Sequence, residues 1–305
     1  MREEKQHLKV IQSAPRMHFQ DLGRFGYAHL GISHGGPIDL HAHCWANFLL
    51  ENNPNATTIE ISIGNASFLA LEDSVIAITG AEMNARIDGL RIQNWGSHLI
   101  RKGQTLKLGY AAQGNHSYLA IRGGFIAQQR LGSSATVVRN HIGDYLTEGN
   151  ELKAHHFSID GSFTPRQTPS HYIPDYNAVE EIRMILPPKQ DSTITNKLLD
   201  TSFAISPHSD RMGINLISET PLPSLPGIIS EGVALGSIQL PPNGHPILLL
   251  NDRQTQGGYA KIGNIARIDL PLLVQAKPST KIKFIPLSQQ QATNEWSEFS
   301  RFFAL

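Results

Sequence analysis

Residues 229–261 read I-S-E-G-V-A-L-G-S-I-Q-L-P-P-N-G-H-P-I-L-L-L-N-D-R-Q-T-Q-G-G-Y-A-K. The apolar run from Ile247 to Leu250 has the composition of a buried strand, and polar residues end it. Asp252, Arg253, Gln254 and Thr255 then place an acid, a guanidinium, an amide and a hydroxyl side by side. Gly257 and Gly258 allow a positive φ or a close approach to a ligand, and Tyr259 and Lys261 follow. Polar groups this dense after a strand cost folding energy unless they pair with each other or hold something. Two readings stay open: a solvated hairpin end with an internal Asp–Arg pair, or a binding loop.

The same alternation of short β-type runs and turns extends over the chain. Runs fall at Leu8–Ile11, Thr57–Ile63, Ser74–Thr79, Thr105–Leu108, Ser117–Ile121, Ile182–Leu186 and Lys281–Ile285. Asp88-Gly89, Lys102-Gly103, Gln113 to Asn115 and Pro241 to Gly244 supply turn signals between them. This pattern predicts a mainly β protein, barrel or sandwich, rather than alternating β-α units. Helices are expected after Asp39, where Leu40, Cys44, Phe48 and Leu49 keep one apolar face; over Thr193 to Asp200; and after Asp269. Each half opens on a similar strand ending in proline, L-K-V-I-Q-S-A-P and I-R-M-I-L-P-P. With Ser158 to Asn177 read as a connection, the expected domains are 1–177 and 178–305.

A chain of 305 residues has ample core for two ordinary domains. Lys plus Arg and Asp plus Glu both number 26, so the net charge is zero. That removes the electrostatic footprint of a nucleic-acid binder and argues against a membrane-surface role. A neutral surface also favours association with a partner. The single cysteine, Cys44, excludes an intramolecular disulfide. With a polar start and no apolar run of membrane-spanning length, the expectation is a soluble cytoplasmic protein.

Several motifs carry possible chemistry. Neither phosphate-loop pattern occurs. Gly31-Ile32-Ser33-His34-Gly35 has the letters of a nucleophile elbow without the strand and helix the mechanism needs, so it reads as a glycine-rich turn. His41 and His43 are two apart on the first helix and pair by spacing with Trp45 and Asn47; no metal site is expected. Asp21-Leu22-Gly23-Arg24 reads as a structural pair or as a guanidinium offered to a carboxylate. Ser209-Asp210-Arg211-Met212-Gly213 repeats the acid–arginine step of Asp252-Arg253, which points to one shared polar pocket in the second half or to two structural ion pairs.

An ordered set of motifs carries a resemblance. It comprises Q-D-L-G-R-F-G-Y from Gln20, G-P-I-D from Gly36, I-E-I-S-I-G from Ile59, Y-L-A-I-R-G-G from Tyr118, L-G-S-S-A-T from Leu131, S-P-H-S-D-R-M-G from Ser206, S-E-G-V-A-L-G-S-I-Q from Ser230 and D-R-Q-T-Q-G-G-Y-A-K-I from Asp252. In these the chain resembles the family of 5-oxoprolinase C subunits, also called the biotin-dependent carboxyltransferase, allophanate hydrolase subunit 2 or KipI antagonist family.

The resemblance implies two tandem cyclophilin-like β-barrel halves with a few short helices. It implies one member of a heteromeric 5-oxoprolinase that opens 5-oxoproline to glutamate with ATP. Its B-type subunit would bind this chain directly, and its A-type subunit would complete the activity. ATP is expected in the complex, on this or another chain. No covalent biotin is expected, since no biotin-attachment lysine between methionines occurs. A KipI-antagonist-like regulatory binder and a carboxyltransferase component acting on carboxybiotin are the alternatives. The roles expected on that basis give the carboxylate clamp to Arg211 or Arg253 and oxyanion donors to Gln254, Thr255, Gly257 and Gly258. Proton transfer falls to Asp210, Glu231 or Asp252, and a phosphate contact to Lys261. Ser209, Tyr259, Arg24 and Asp39 complete the candidate substrate-binding set.

Overall fold

The computed structural model describes residues 3–157, 163–188 and 192–305. The chain is mainly β and separates into two compact units, residues 1–24 with 35–174 and residues 25–34 with 175–305. Residues 25–34, which sequence order places in the first half, therefore belong with the second unit.

The first unit holds two sheets. One runs Phe125–Ile126, Glu151–His155, Glu4–Gln12, Gly64–Ala70, Thr105–Tyr110, Arg86–Ile87, Leu90–Arg91; the other runs Arg16–Gln20, Thr58–Ser62, Gln113–Ile121, Ser74–Glu82, Gly96–Ile100. Alternate residues of both meet in one core, with Leu8, Val10, Phe68 and Leu106 from the first sheet and Met17, Ile59, Ile61, Ile76, Ile78 and Leu119 from the second. Thr58–Ser62 is buried on both faces because the helix Leu40–Leu49 lies over the second sheet. Asp39 caps that helix, its Oδ1 accepting the Ala42 N–H at 2.9 Å. Trp45 Nε1 donates to His41 Nε2 at 3.1 Å, and Asn47 Nδ2 lies 3.4 Å from His43 Nε2, as the helical spacing predicts. Cys44 and Leu49 are buried as expected, but Phe48, expected on the same apolar face, is 40% exposed, and Trp45 is buried in its place.

Two sequence expectations change here. Gln113 to Asn115 is not a turn: it lies inside the strand Gln113–Ile121, where Gly114 at φ 76° bulges the ladder. The expected connection Ser158 to Asn177 is not a free linker from residue 163 onward. Gln167 bridges to Gly96, and the Thr168 N–H donates to Trp95 O, so residues 163–174 belong to the first unit; residues 158–162 lie outside the described residues.

The second unit closes into a seven-stranded barrel. Its strands follow the order Glu181–Ile185, Ala260–Ile265, Ser237–Leu240, Ile247–Leu249, Gly213–Ile217, Phe203–Ile205, Lys281–Pro286. Closure comes from the parallel pairing of the unit's first and last long strands, Ile182 opposite Phe284. Ile182, Met184, Phe203, Ile214, Ile238, Leu248, Ile262 and Phe284 are among its buried apolar residues, with the Phe203 and Phe284 rings 5.5 Å apart. The helices Ser192–Asp200 and Leu270–Gln275 stand where expected.

A longer helix, Gln289–Phe303, is not among those the sequence predicts. Ser288 and Gln291 form its capping box, and Arg183 ties it down with Nη1 on Glu295 at 2.9 Å while Nε holds Asp269 at 2.9 Å. Among the described residues no helix is long and apolar enough to cross a membrane.

Candidate functional site

Strand register builds the site. Gly213 pairs with Leu249, so the turn before Gly213 and the turn after Leu249 lie at the same end of the barrel. Two backbone hydrogen bonds prolong that ladder, Leu250 N–H to Met212 O and Asp252 N–H to Arg211 O, each 2.9 Å. The two Asp–Arg steps therefore meet, as their repetition in the sequence predicts.

They meet by pairing with each other. Arg211 Nε donates to Asp252 Oδ2 at 2.9 Å and Nη2 to Oδ1 at 3.0 Å, a bidentate pair that is about nine-tenths buried. That edge of Arg211 is thus closed to a substrate carboxylate, and Asp252 is fixed as a counter-ion. Asp210 is a turn residue: its Oδ1 accepts the N–H groups of Met212 at 2.7 Å and Gly213 at 3.3 Å. Ser209 braces the same turn, donating to Ser206 O at 2.8 Å and accepting the Asn215 N–H at 3.2 Å.

Arg253 is placed differently. Its Nε donates to Val233 O and its Nη1 to Leu250 O, both at 3.1 Å. Among the described residues no carboxylate pairs with it, and Nη2 has no partner. Burial first, and the nearby Arg267 second, push its guanidinium below the ordinary arginine pKa. A half-buried cation beside a second cation, with only carbonyl dipoles for compensation, is electrostatically incomplete.

Around it, Gln254 Nε2 donates to Gln239 Oε1 at 3.2 Å, which leaves Gln254 Oε1, an acceptor, without a partner among the described residues. Gln254 therefore presents an acceptor where an oxyanion donor was expected. The Thr255 carbonyl accepts the Val233 N–H. Gln256–Gly257 pairs as a short strand with Glu231–Gly232. Neither Gly257 nor Gly258 has positive φ. The close approach that Gly257 permits is to the protein itself: a Cβ there would overlap Gln239 Nε2. At Gly258 a Cβ would stand 3.3 Å from Ile228 O. Lys261 is paired with Glu231 at 2.7 Å, and Tyr259 is 44% exposed.

Arg24 and Asp39 lie in the first unit, and their side chains are engaged there. Arg24 Nη2 donates to Ala135 O and its Nε to Arg130 O at 3.5 Å; Asp39 is the helix cap.

Sequence reasoning misses two residues of this site. Ser33, set aside as a nucleophile, is buried, and its hydroxyl contacts Arg253 O at 2.7 Å and Asp252 O at 3.2 Å, bracing the loop's backbone. Gln239 is fully buried on the strand Ser237–Leu240, and its polar side chain between Ile238 and Leu240 was the available signal.

The family model for the carboxyltransferase domain, subdomain A and B, matches residues 30–286. The 5-oxoprolinase C subunit of Haemophilus influenzae is 31% identical over 297 residues, 93% of each chain. The 5-oxoprolinase C subunit of Escherichia coli is 31% identical over 306 residues, 97% of this chain and 96% of that one. The crystal structure of the K. lactis urea amidolyase superposes with a TM-score of 0.86 at 22% identity, a likeness of fold. That match covers 98% of this chain but only 20% of the amidolyase.

Proposed function

The chain belongs to the carboxyltransferase subdomain A and B family, and from that premise we propose that it is the C subunit of an ATP-dependent 5-oxoprolinase, where it holds the substrate's carboxylate. The observation that carries this reading is Arg253, a half-buried guanidinium with an open nitrogen and no acidic partner among the described residues. A small carboxylate there supplies the missing counter-charge. An identity of 31% over nearly the full length of relatives named as 5-oxoprolinase C subunits supports the choice of substrate.

5-Oxoproline joins that carboxylate to a lactam, and ring amides resist direct attack by water. Catalysis therefore needs the lactam oriented while its carbonyl is activated. This chain supplies orientation. Arg253 fixes the anion, the Arg211–Asp252 pair and Ser33 hold the loop that carries Arg253, and Gly257 keeps Gln239 close beneath it.

Lys261, the residue expected to contact a phosphate, is paired with Glu231, and Arg211 is paired with Asp252, which speaks against a triphosphate cradle on this loop. We assign ATP to a partner chain. In this reading the B-type subunit of the 5-oxoprolinase is the direct contact, and the A-type subunit completes the activity. The family's carboxyltransferase description supports a second reading, in which the same loop receives a carboxyl group from carboxybiotin carried by another chain.

Co-expression with neighbouring A-type and B-type subunits separates the readings. ATP-dependent release of glutamate from 5-oxoproline, lost when any one of the three chains is omitted, is the expected result. Turnover that depends on added biotinylated protein selects the second reading. Binding to a B-type partner with no turnover of either kind selects a regulatory binder and removes the enzymatic assignment.

A further inference from the structure

We infer that Gln239 and Gln254 form a reader for an amide N–H beside the Arg253 anion site, so that the loop selects cyclic α-amido acids, rings in which a carboxylate and an N–H flank one carbon. This rests on the carboxylate-holding role proposed for Arg253.

Orientation decides what a glutamine side chain can read. A free glutamine presents both an acceptor and donors, and discriminates little. Gln254 is not free. Its Nε2 is engaged by Gln239 Oε1 at 3.2 Å, so the half of the amide left open is the carbonyl oxygen. Gln239 can impose this because it is itself held. It is 1% exposed on a barrel strand, with Gln239 opposite Ile247 on one side and Lys261 on the other. Its Nε2 is buried without a hydrogen-bond partner, where a Cβ added at Gly257 would stand 2.3 Å from it. A buried amide with one unsatisfied end is an expense that packing alone does not explain, since leucine fills similar space. What the glutamine adds is the acceptor that turns Gln254.

The two side chains are anchored together. Arg253 Nε bonds Val233 O, and Gly257 sits against both Val233 Cγ1 and Gln239 Nε2. The open Nη2 of Arg253 and the open Oε1 of Gln254 thus come from adjacent residues fixed to adjoining supports. A donor beside an acceptor matches a carboxylate beside an N–H. In 5-oxoproline these groups share the α-carbon. A lactone of the same shape offers the carboxylate but places a ring oxygen, an acceptor, where the N–H should be. Its lone pair would face Gln254 Oε1, leaving two acceptors opposed. Gln254 touches the substrate in this assignment; Gln239 is a positioning residue that acts through it.

The test measures affinity on the co-purified complex by calorimetry with three probes: 5-oxoproline, its lactone 5-oxotetrahydrofuran-2-carboxylate, and the cyclic urea 2-oxoimidazolidine-4-carboxylate. The lactam and the cyclic urea are expected to bind about 10- to 100-fold more tightly than the lactone, the cost of one unmatched polar contact. Gln254→Leu and Gln239→Leu should bring that ratio close to one. Gln239→Glu should keep it, because the new side chain still offers Gln254 an acceptor; a purely structural glutamine gives no such rescue.

Equal binding of lactone and lactam by the unaltered complex overturns the inference. So does failure of all three probes to bind, or a Gln239→Leu complex of unchanged melting temperature that still prefers the lactam. The outcomes are separable from the functional reading. Turnover of 5-oxoproline without lactam preference defeats the reader alone. Lactam preference without ATP-dependent turnover defeats the 5-oxoprolinase reading and leaves the reader standing.

Discussion

Two stretches of this chain look alike in sequence, Asp21 to Arg24 and Asp252 to Arg253, each an acid and an arginine near glycine. They fold to opposite electrostatic ends. In the first unit Asp21 is saturated: Oδ1 accepts from Gly23 N–H and Ser133 Oγ, and Oδ2 from Ser134 N–H at 2.7 Å and Ser134 Oγ at 3.0 Å. Arg24 reaches carbonyls of the same neighbouring loop. In the second unit Asp252 is taken by Arg211 from another turn, and Arg253 is left with carbonyls and a repelling arginine. An Asp-Arg step is therefore not itself a site. What marks the candidate site is a charge whose natural partner has been given to another residue.

The contrast breaks most sharply at the closed knot. Asp21→Ala removes a buried carboxylate with all its hydrogen bonds and should destabilise the first unit by about 3–5 kcal/mol. Chemical denaturation of that variant checks this, and a change below about 1 kcal/mol would mean the knot is not structural. Asp252→Ala removes the bidentate carboxylate partner of a largely buried Arg211. It should cost about 3 kcal/mol in the second unit's unfolding transition, and the double variant Asp252→Ala with Arg211→Met should recover much of that loss.

Gly257→Ala sets a Cβ against Gln239 Nε2 and should cost about 1–3 kcal/mol. If it melts as the unaltered protein does, the crowding beneath the loop is absent in solution.

Acid should separate the units as well. Burial depresses His41 and His43 to about 4 and lowers His7 and His98, and all four lie in the first unit. The unfolded chain, with histidines near 6.5, takes up those protons first as pH falls. The stability that His41 and His43 contribute is therefore complete above about 6.5 and declines between there and about 4, by up to ~1.4 kcal/mol per pH unit for each, and His7 and His98 act in the same direction. Calorimetry at pH 7.5 and 5 should show the first unit's transition falling more than the second's. His43→Gln should shrink the gap, and equal shifts in both transitions would refute the assignment.

Much of the fold was legible. Every β-run named from composition falls on a strand, because valine, isoleucine and alternating burial mark a half-covered sheet. Arg16–Gln20 escaped notice because His18 and Gln20 are polar yet buried. Gln289–Phe303 escaped because its sequence is mostly polar, with only Trp296, Phe299 and Phe303 on an inward spacing. At the site, the meeting of Arg211 and Asp252 was readable as two repeated steps. The Ser33 contact was not, since it joins residues 219 and 220 apart in sequence, and no local pattern records such a distance. Nor does the sequence say which arginine is left over, because that depends on strand register.

The most direct measurement is ATP-dependent 5-oxoproline turnover by the co-purified complex carrying Arg253→Ala, run beside its melting curve. The account predicts at least a ~100-fold loss of turnover with the assembly intact and the second unit's stability within about 1 kcal/mol. Turnover at the unaltered rate would contradict it, because an anion site built on that guanidinium cannot lose it without consequence.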